Sequence, residues 1–434
     1  MKRLISSQLQ DWADSPRRKP LIVRGARQVG KTHSILALGE QRFDELAVLD
    51  LERDRSRHRI FDKDLDAGRI LSELRIVLDR KIEPGRSLLF FDEIQSCPRA
   101  IMALRYLYEE MPDLHVVAAG SLLDFALADI SFPVGRVQFL EMHPLAFVEY
   151  LWAIGRDQAA EVVLSPPGPV AGAVHDSLLD DLRNYFFVGG MPEAVLAYSS
   201  KRSIPDAREV HRELCESYRQ DFAKYAPRAD PYCLDAVFAG TARNVGRQIK
   251  YTNLAEGHPG PTVKRAFDLL NRARVVTRVP AASPSGLPLG ASASARRFKA
   301  LMVDIGLMQH LRGLPIDLEY RKADLLHLHE GDMAEQFVGQ EMLVSQGPDL
   351  FYWARQARNS TAEVDYLAVI GDAIVPVEVK SGPSGRLRSM HLLLDTYPNC
   401  NKGYVFSTAP FAELPDQKLT FLPLYHAFRG TRVH

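Results

Sequence analysis

Eight residues near the start of the chain, GARQVGKT at 25–32, leave few folds open. They fit the spacing G-x-x-x-x-G-K-[ST], with the apolar run LIVR before them and the helical pattern THSILALGEQ from Thr32 onward. That pattern requires a strand, a tight loop and a helix in this order. Gly25 and Gly30 let the loop turn so that the backbone N–H groups of Ala26, Arg27, Gln28 and Val29 converge on phosphate oxygens. The N-terminus of the following helix adds its partial positive charge. Lys31 then reaches the β- and γ-phosphates and Thr32 ligates Mg²⁺, so ATP and Mg²⁺ are the expected cofactors.

Such a loop belongs to a parallel sheet, and residues 1–150 supply one. PLIVRG, LAVLDLE, SLLFFDE and LHVVAAGS are short apolar runs separated by helical patterns. Strands covered by helices on both faces read this way. The run LLFFDEIQ carries Asp92 and Glu93 at its end. Two acids at the tip of a buried strand are costly unless they face an ion or a solvent cleft. Asp92 is expected in the Mg²⁺ shell, and Glu93 beside the attacking water. Ser121 closes LHVVAAGS, where a small hydroxyl can meet the γ-phosphate. Arg136, in FPVGRV, is either a charge-neutralising finger, in cis or across a subunit boundary, or one half of a surface ion pair.

Composition excludes less. The 434 residues exceed what one hydrophobic core holds. Lys and Arg number 54, as do Asp and Glu, so any basic face must be local. Cys97, Cys215, Cys233 and Cys400 lie far apart with no CxxC pair, which suits a reducing, cytoplasmic setting better than a disulfide framework. The opening MKRLISSQLQDWADSPRRKP lacks the apolar core of a signal peptide, and no uncharged run reaches the ~18 residues of a membrane span. No membrane partner is expected.

Charge does segregate in the middle of the chain. From Thr241 to Lys299 there are eleven basic residues, opposed only by Glu256 and Asp268. The segment reads as helix, turn, helix and strand, followed by the Pro/Ser/Gly/Ala-rich stretch PAASPSGLPLGASASA. Val263, Ala266, Phe267, Leu270 and Ala273 share one face of the second helix, which leaves Lys264, Arg265 and Arg272 outside. A winged helix would present that helix to a DNA groove, with Arg296 and Arg297 on the wing. Winged helices also serve as protein-docking modules, and both readings stay open.

Near the C-terminus, EVDYLAVIGDAIVPVEVK at 363–380 reads as two strands joined at Gly371-Asp372. Glu378 and Lys380 share a face, Asp365 lies on the neighbouring strand, and Glu335 lies on a preceding helix. An Asp, a Glu-x-Lys and a helical Glu together resemble the restriction-endonuclease-like nucleases, archaeal Holliday-junction resolvases in particular. The resemblance implies a second Mg²⁺ held by Asp365, Glu378 and Glu335, with Lys380 near the attacking water. PSGRLRS at 383–389 adds basic residues beside it. Such domains either cut or keep only the fold as a clamp.

Taken together, RGARQVGKT, LLFFDEIQ, AAGS, FPVGRVQFLEMHPLAFVEYL, GGMPEAV and RFKALMVDIGLMQHLRG resemble bacterial and archaeal AAA-type ATPases that carry a C-terminal domain of unknown function. The resemblance implies an α/β fold with an AAA-type P-loop parallel sheet at 1–155 and a helical lid or connector at 156–228. A winged helix at 229–318 and a restriction-endonuclease-like α/β domain at 319–434 complete the expectation. It also implies ATP hydrolysis and a homo-oligomeric ring. The expected function is ATP-driven remodelling of DNA, structured or branched as in a Holliday junction. A signalling or defence ATPase with a protein partner, and an ATP-gated nuclease or toxin, are the alternatives.

Overall fold

A computed structural model describes residues 1–121, 135–225, 229–313, 331–357, 360–380 and 387–432. The chain divides into two compact units, Lys2–His143 and Pro144–His434, with Met1 assigned to the second. The first boundary therefore falls before the 155 expected from sequence. The expected divisions at 228 and 318 lie inside the second unit.

The first unit is a parallel five-stranded sheet. Its strands are β1 (Leu21–Arg24), β2 (Glu45–Asp50), β3 (Ser87–Asp92), β4 (His115–Gly120) and β5 (Gln138–Glu141), in the order β2-β3-β4-β1-β5. Helices α1 (Ile5–Asp14), α2 (Lys31–Arg42), α3 (Ala67–Leu78) and α4 (Pro98–Glu110) accompany it. Ile22, Leu89, Phe91, Val116 and Ala118 are buried in one cluster with Ile70, Leu74, Ile101 and Leu104 of α3 and α4. Burial on both faces is why β1, β3 and β4 read as unbroken apolar runs. Because β4 separates β1 from β3, their C-terminal tips stand two strand spacings apart, about 9.5 Å. A crevice between those tips is the geometric consequence.

The second unit begins with α5 (Phe147–Ala153), α6 (Asp157–Leu164), α7 (Gly172–Val188), α8 (Pro192–Lys201) and α9 (Ile204–Tyr225). Next come α10 (Pro231–Arg243), α11 (Gly260–Arg272) and an antiparallel hairpin of β6 (Val276–Pro280) and β7 (Phe298–Met302). Val263, Ala266, Phe267, Leu270 and Ala273 of the second helix are all buried, as the spacing predicts. Helices α12 (Ile305–Arg312) and α13 (Gly331–Gln346) lead into a mixed sheet. It comprises β8 (Phe351–Ala357), β9 (Ser360–Ile370), β10 (Ala373–Val379), β11 (Gly403–Ser407), β12 (Ala412–Leu414) and β13 (Leu419–Pro423), ordered β12-β13-β11-β10-β9-β8. The anticipated turn joins β9 to β10, with Gly371 at φ 61° and Ile370 paired to Ala373. Helices α14 (Arg388–Thr396) and α15 (Ala427–Thr431) complete the chain as described.

A three-way junction holds the helical part to α12. The Leu145 N–H donates to the Gly190 carbonyl at 2.6 Å, and the Gly190 N–H donates to Asp304 Oδ2 at 2.6 Å. Asp304 Oδ1 also accepts from the Leu307 N–H at 3.0 Å, capping α12. Gly189 has φ 66°, and a Cβ there would meet Asp304 Oδ1 at 2.2 Å. A Cβ on Gly190 would meet the Leu145 carbonyl oxygen at 2.1 Å. The GGM and VDIG motifs are thus two sides of one contact.

A second buried carboxylate ties α13 to α5. Glu341 Oε1 accepts from the Phe147 N–H at 2.8 Å, close to the Glu149 carboxylate that accepts from the Ala146 N–H at 2.8 Å. Burial pushes the Glu341 carboxyl up from 4.5 to about 8. A folded-state pKa raised above the unfolded one favours the fold below the unfolded value and loses that contribution as pH rises through the folded value. Wild-type protein should therefore lose stability from this group between about pH 4.5 and about pH 8, by up to ~1.4 kcal/mol per pH unit. Glu341→Gln keeps the acceptor for Phe147 and cannot ionise. Thermal melts across that range should show a flatter slope for the variant, and an unchanged slope would refute the assignment.

Candidate functional site

The loop between β1 and α2 has the geometry the spacing demands. Gly30 sits at φ 97° and ψ 20°, immediately before α2, and Gln28 also takes a positive φ of 62°. Gly25 is confined from the other side, because a Cβ would lie 2.2 Å from the Met142 carbonyl oxygen. Lys31 is buried, its ammonium donating to the carbonyls of Gly25 at 3.1 Å and Ala26 at 2.7 Å. Arg3 clamps the loop from behind, donating to the Val29 carbonyl at 2.9 Å and the His143 carbonyl at 2.7 Å. No sequence pattern announces that arginine; only its tertiary position reveals the role.

Across the crevice, the Thr32 hydroxyl donates to Asp92 Oδ2 at 2.9 Å. Burial raises the Asp92 carboxyl above its usual range, opposed by that hydrogen bond. A hydroxyl and a carboxylate, both hard oxygen donors, fit Mg²⁺. Glu93 follows at φ 47°, a left-handed conformation that costs on the order of 1 kcal/mol or more for a residue with a Cβ. The Gln95 side-chain amide donates to its carboxylate and holds it in place. Gln95 also escaped the motif reading. Ser121 is buried at the tip of β4, between the tips of β1 and β3.

Arg136 lies elsewhere. Gln138 pairs with Leu21 at the start of β1, whereas the loop follows Arg24 at its end. Arg136 is thus at the opposite edge of the sheet, roughly 15 Å or more along the strands. It is exposed, donating to Glu109 Oε1 at 2.7 Å. A finger acting in cis is ruled out by this placement, which leaves the ion pair or a neighbouring subunit's site.

The basic segment keeps most of its charge outward. Arg243, Arg247, Lys250, Lys264, Arg265, Arg272 and Arg296 are exposed and carry no ion pair among the described residues. Three others do not count toward that face. Arg278 pairs with Asp268 at 2.6 Å and lies over the Phe298 ring at 4.3 Å. Arg297, expected on DNA, is half-buried and donates to the Ala354 carbonyl at 3.4 Å. Lys299 is buried outright.

The C-terminal acids do gather, but around a lysine of this chain. Lys299 Nζ lies 2.8 Å from Glu335 Oε1, 2.6 Å from Glu363 Oε1 and 3.1 Å from Asp365 Oδ1. Asp365 Oδ2 accepts from the Val379 N–H at 2.9 Å, and Glu378 pairs with Lys380. Burial, with Asp365 nearby, raises the Glu378 carboxyl to about 7, against the pull of Lys380. Burial also raises Glu335, to about 8. Glu363 and Lys299 were absent from the residues that sequence assigned to this pocket. Most of PSGRLRS falls outside the described residues.

The parallel sheet and the loop between β1 and α2 have the arrangement of a P-loop domain. Residues 17–151 match the family described as AAA domain. Residues 179–317 and 330–426 match two domains of unknown function, DUF8612 and DUF4143. Among curated proteins no match was found. The chain is similar to a Walker-type ATPase of Pyrococcus abyssi at 15% identity, covering 71% of this chain and 94% of that one, with a TM-score of 0.45. It is also similar to the Aeropyrum pernix Orc1 protein in complex with DNA at 11% identity, 73% and 92% coverage and TM-score 0.27. A Thermotoga maritima RuvB variant matches at 17% identity, 64% and 89% coverage and TM-score 0.29. Among the described residues no helix is long and apolar enough to cross a membrane.

Proposed function

We propose that this protein hydrolyses ATP and uses the cycle to bind and remodel DNA, in a structured or branched form such as a Holliday junction. Thr32 and Asp92 would hold Mg²⁺, which supplies charge neutralisation at the phosphates. The loop N–H groups orient the triphosphate, and Lys31 exchanges its two carbonyl partners for phosphate oxygens. Glu93, fixed by Gln95, accepts a hydrogen bond from the attacking water and aligns it. Ser121 meets the γ-phosphate from below. Arg136 completes the site of an adjacent subunit in a ring, since its own site is out of reach. The observation that most supports the hydrolytic reading is the Thr32–Asp92 contact across the crevice.

The DNA reading rests on the outward face of α11. In a chain of zero net charge, exposed lysines and arginines with no acidic partner are held apart by the fold, and a polyanion is the simplest counterpart. The segment's order of helix, helix and hairpin suits a winged helix with α11 in a groove. Removing Lys264, Arg265 and Arg272 together should weaken DNA binding about 10- to 100-fold at moderate salt and lower the salt slope by roughly 2–3. Titrations against junction, forked and linear DNA, with ATP turnover followed in parallel, test this. Turnover indifferent to every DNA, with no binding at about 100 mM salt, would leave a protein-docking ATPase instead.

A further inference from the structure

The acid pocket of the C-terminal sheet has its cation already. Lys299 reaches it from β7, its side chain only 2% exposed, with the Tyr352 ring 5.3 Å from the ammonium. An ammonium has three N–H groups and no more. Glu335, Glu363 and Asp365 each present one oxygen to it within 3.1 Å, so its capacity is filled. Two of the remaining oxygens already accept a hydrogen bond from this chain. Asp365 Oδ2 is taken by the Val379 N–H, and one Glu378 oxygen by Lys380. Glu335 Oε2 faces Gly246, lying 3.0 Å from where a Cβ would stand there. Glu378 Oε2 is buried without a partner, the one feature that fits a cation. Mg²⁺, however, needs near-octahedral oxygen coordination. A metal drawn to Asp365 and Glu378 would also stand within a few ångströms of the Lys299 charge.

We propose that Lys299 is the resident counter-ion of this pocket and occupies the place a nuclease would give to Mg²⁺. The Glu335, Asp365, Glu378 and Lys380 constellation is then a clasp. It fastens the β6–β7 hairpin to α13 and the β9–β10 hairpin, and the sheet does not cut DNA. The inference concerns the second unit alone and is independent of the ATP-site reading and of whether α11 binds DNA.

Three measurements on the full chain test it, all without nucleotide. Wild-type protein, titrated with Mg²⁺ and Mn²⁺ by calorimetry and thermal shift, should respond no differently from Asp365→Asn. Lys299→Met should melt about 10 °C lower at neutral pH, since burying carboxylates without their cation is strongly unfavourable. It should regain much of that loss on adding divalent cation, now admitted to the vacated place. If Lys299→Met does not fold, Lys299→Arg should, because the positive charge is kept, and the wild-type titration still decides the metal question. Divalent binding by wild type that Asp365→Asn abolishes overturns the proposal. So does Mg²⁺-dependent cleavage of any DNA that Lys380→Ala abolishes. A Lys299→Met protein as stable as wild type and indifferent to divalent cations overturns it as well.

Discussion

Alanine at Lys31 is expected to remove measurable ATP turnover together with most nucleotide affinity, whereas Gln at Glu93 should remove turnover alone. The two differ in what they take away. Lys31 is a buried ammonium at the loop, and the charge it would bring to the phosphates is worth about 10²–10³ in rate even before binding is counted. Glu93→Gln leaves the loop, Thr32 and Asp92 intact and deletes only the carboxylate proposed to align water. A loss of about 10²–10⁴ in turnover follows, with ATP bound as tightly as before. Phosphate release and binding of a fluorescent ATP analogue, measured side by side, separate the effects. If Glu93→Gln turns over ATP at the wild-type rate, the assignment of the second acid fails, and Ser121 or a group from another subunit must align the water.

The largest structural effect should come from Asp304→Ala. This carboxylate is fully buried and accepts backbone hydrogen bonds from Gly190, Leu307 and Gly306. Truncating it strands those donors in a site water cannot reach, at about 3–5 kcal/mol. A fall of about 10 °C in the melting temperature of the second unit is the expected result. Asp304→Asn, which keeps one acceptor oxygen, should lose about half as much. Gly190→Ala should match the alanine variant, since its methyl would collide with the Leu145 backbone. Equal stability of Asp304→Ala and wild type would show that the junction contributes nothing.

What sequence reveals here depends on the range over which the physics acts. The phosphate loop, the acids at the tip of β3 and the Gly371 turn are local: fixed spacing, buried strand, positive φ. The inner face of α11 is local too, and every position assigned to it is buried. Lys299 shows the opposite case. Counted along the chain it is one more base in a basic stretch, yet its partners Glu335, Glu363 and Asp365 lie 36, 64 and 66 positions away, and only tertiary structure turns its charge inward. Arg136 failed in cis for a similar reason, because a motif shows neither strand direction nor which end of a strand carries the loop. Arg3 and Gln95 act through tertiary or side-chain contacts that no spacing rule encodes.

The junction of Leu145, Gly190 and Asp304 bears on how the chain is made. Gly190 and Asp304 are 114 positions apart, Phe147 and Glu341 are 194 apart, and His175 joins Tyr425 across 250. A ribosome releasing the chain from its N-terminus can complete the first unit early, since its strands all lie before residue 144. Some anchoring groups of the helices that emerge next, on Asp304, Glu341 and Tyr425, are synthesised only later. Until those groups arrive, part of the apolar surface of these helices lacks its final partners, so this stretch is where a nascent chain would need chaperone cover.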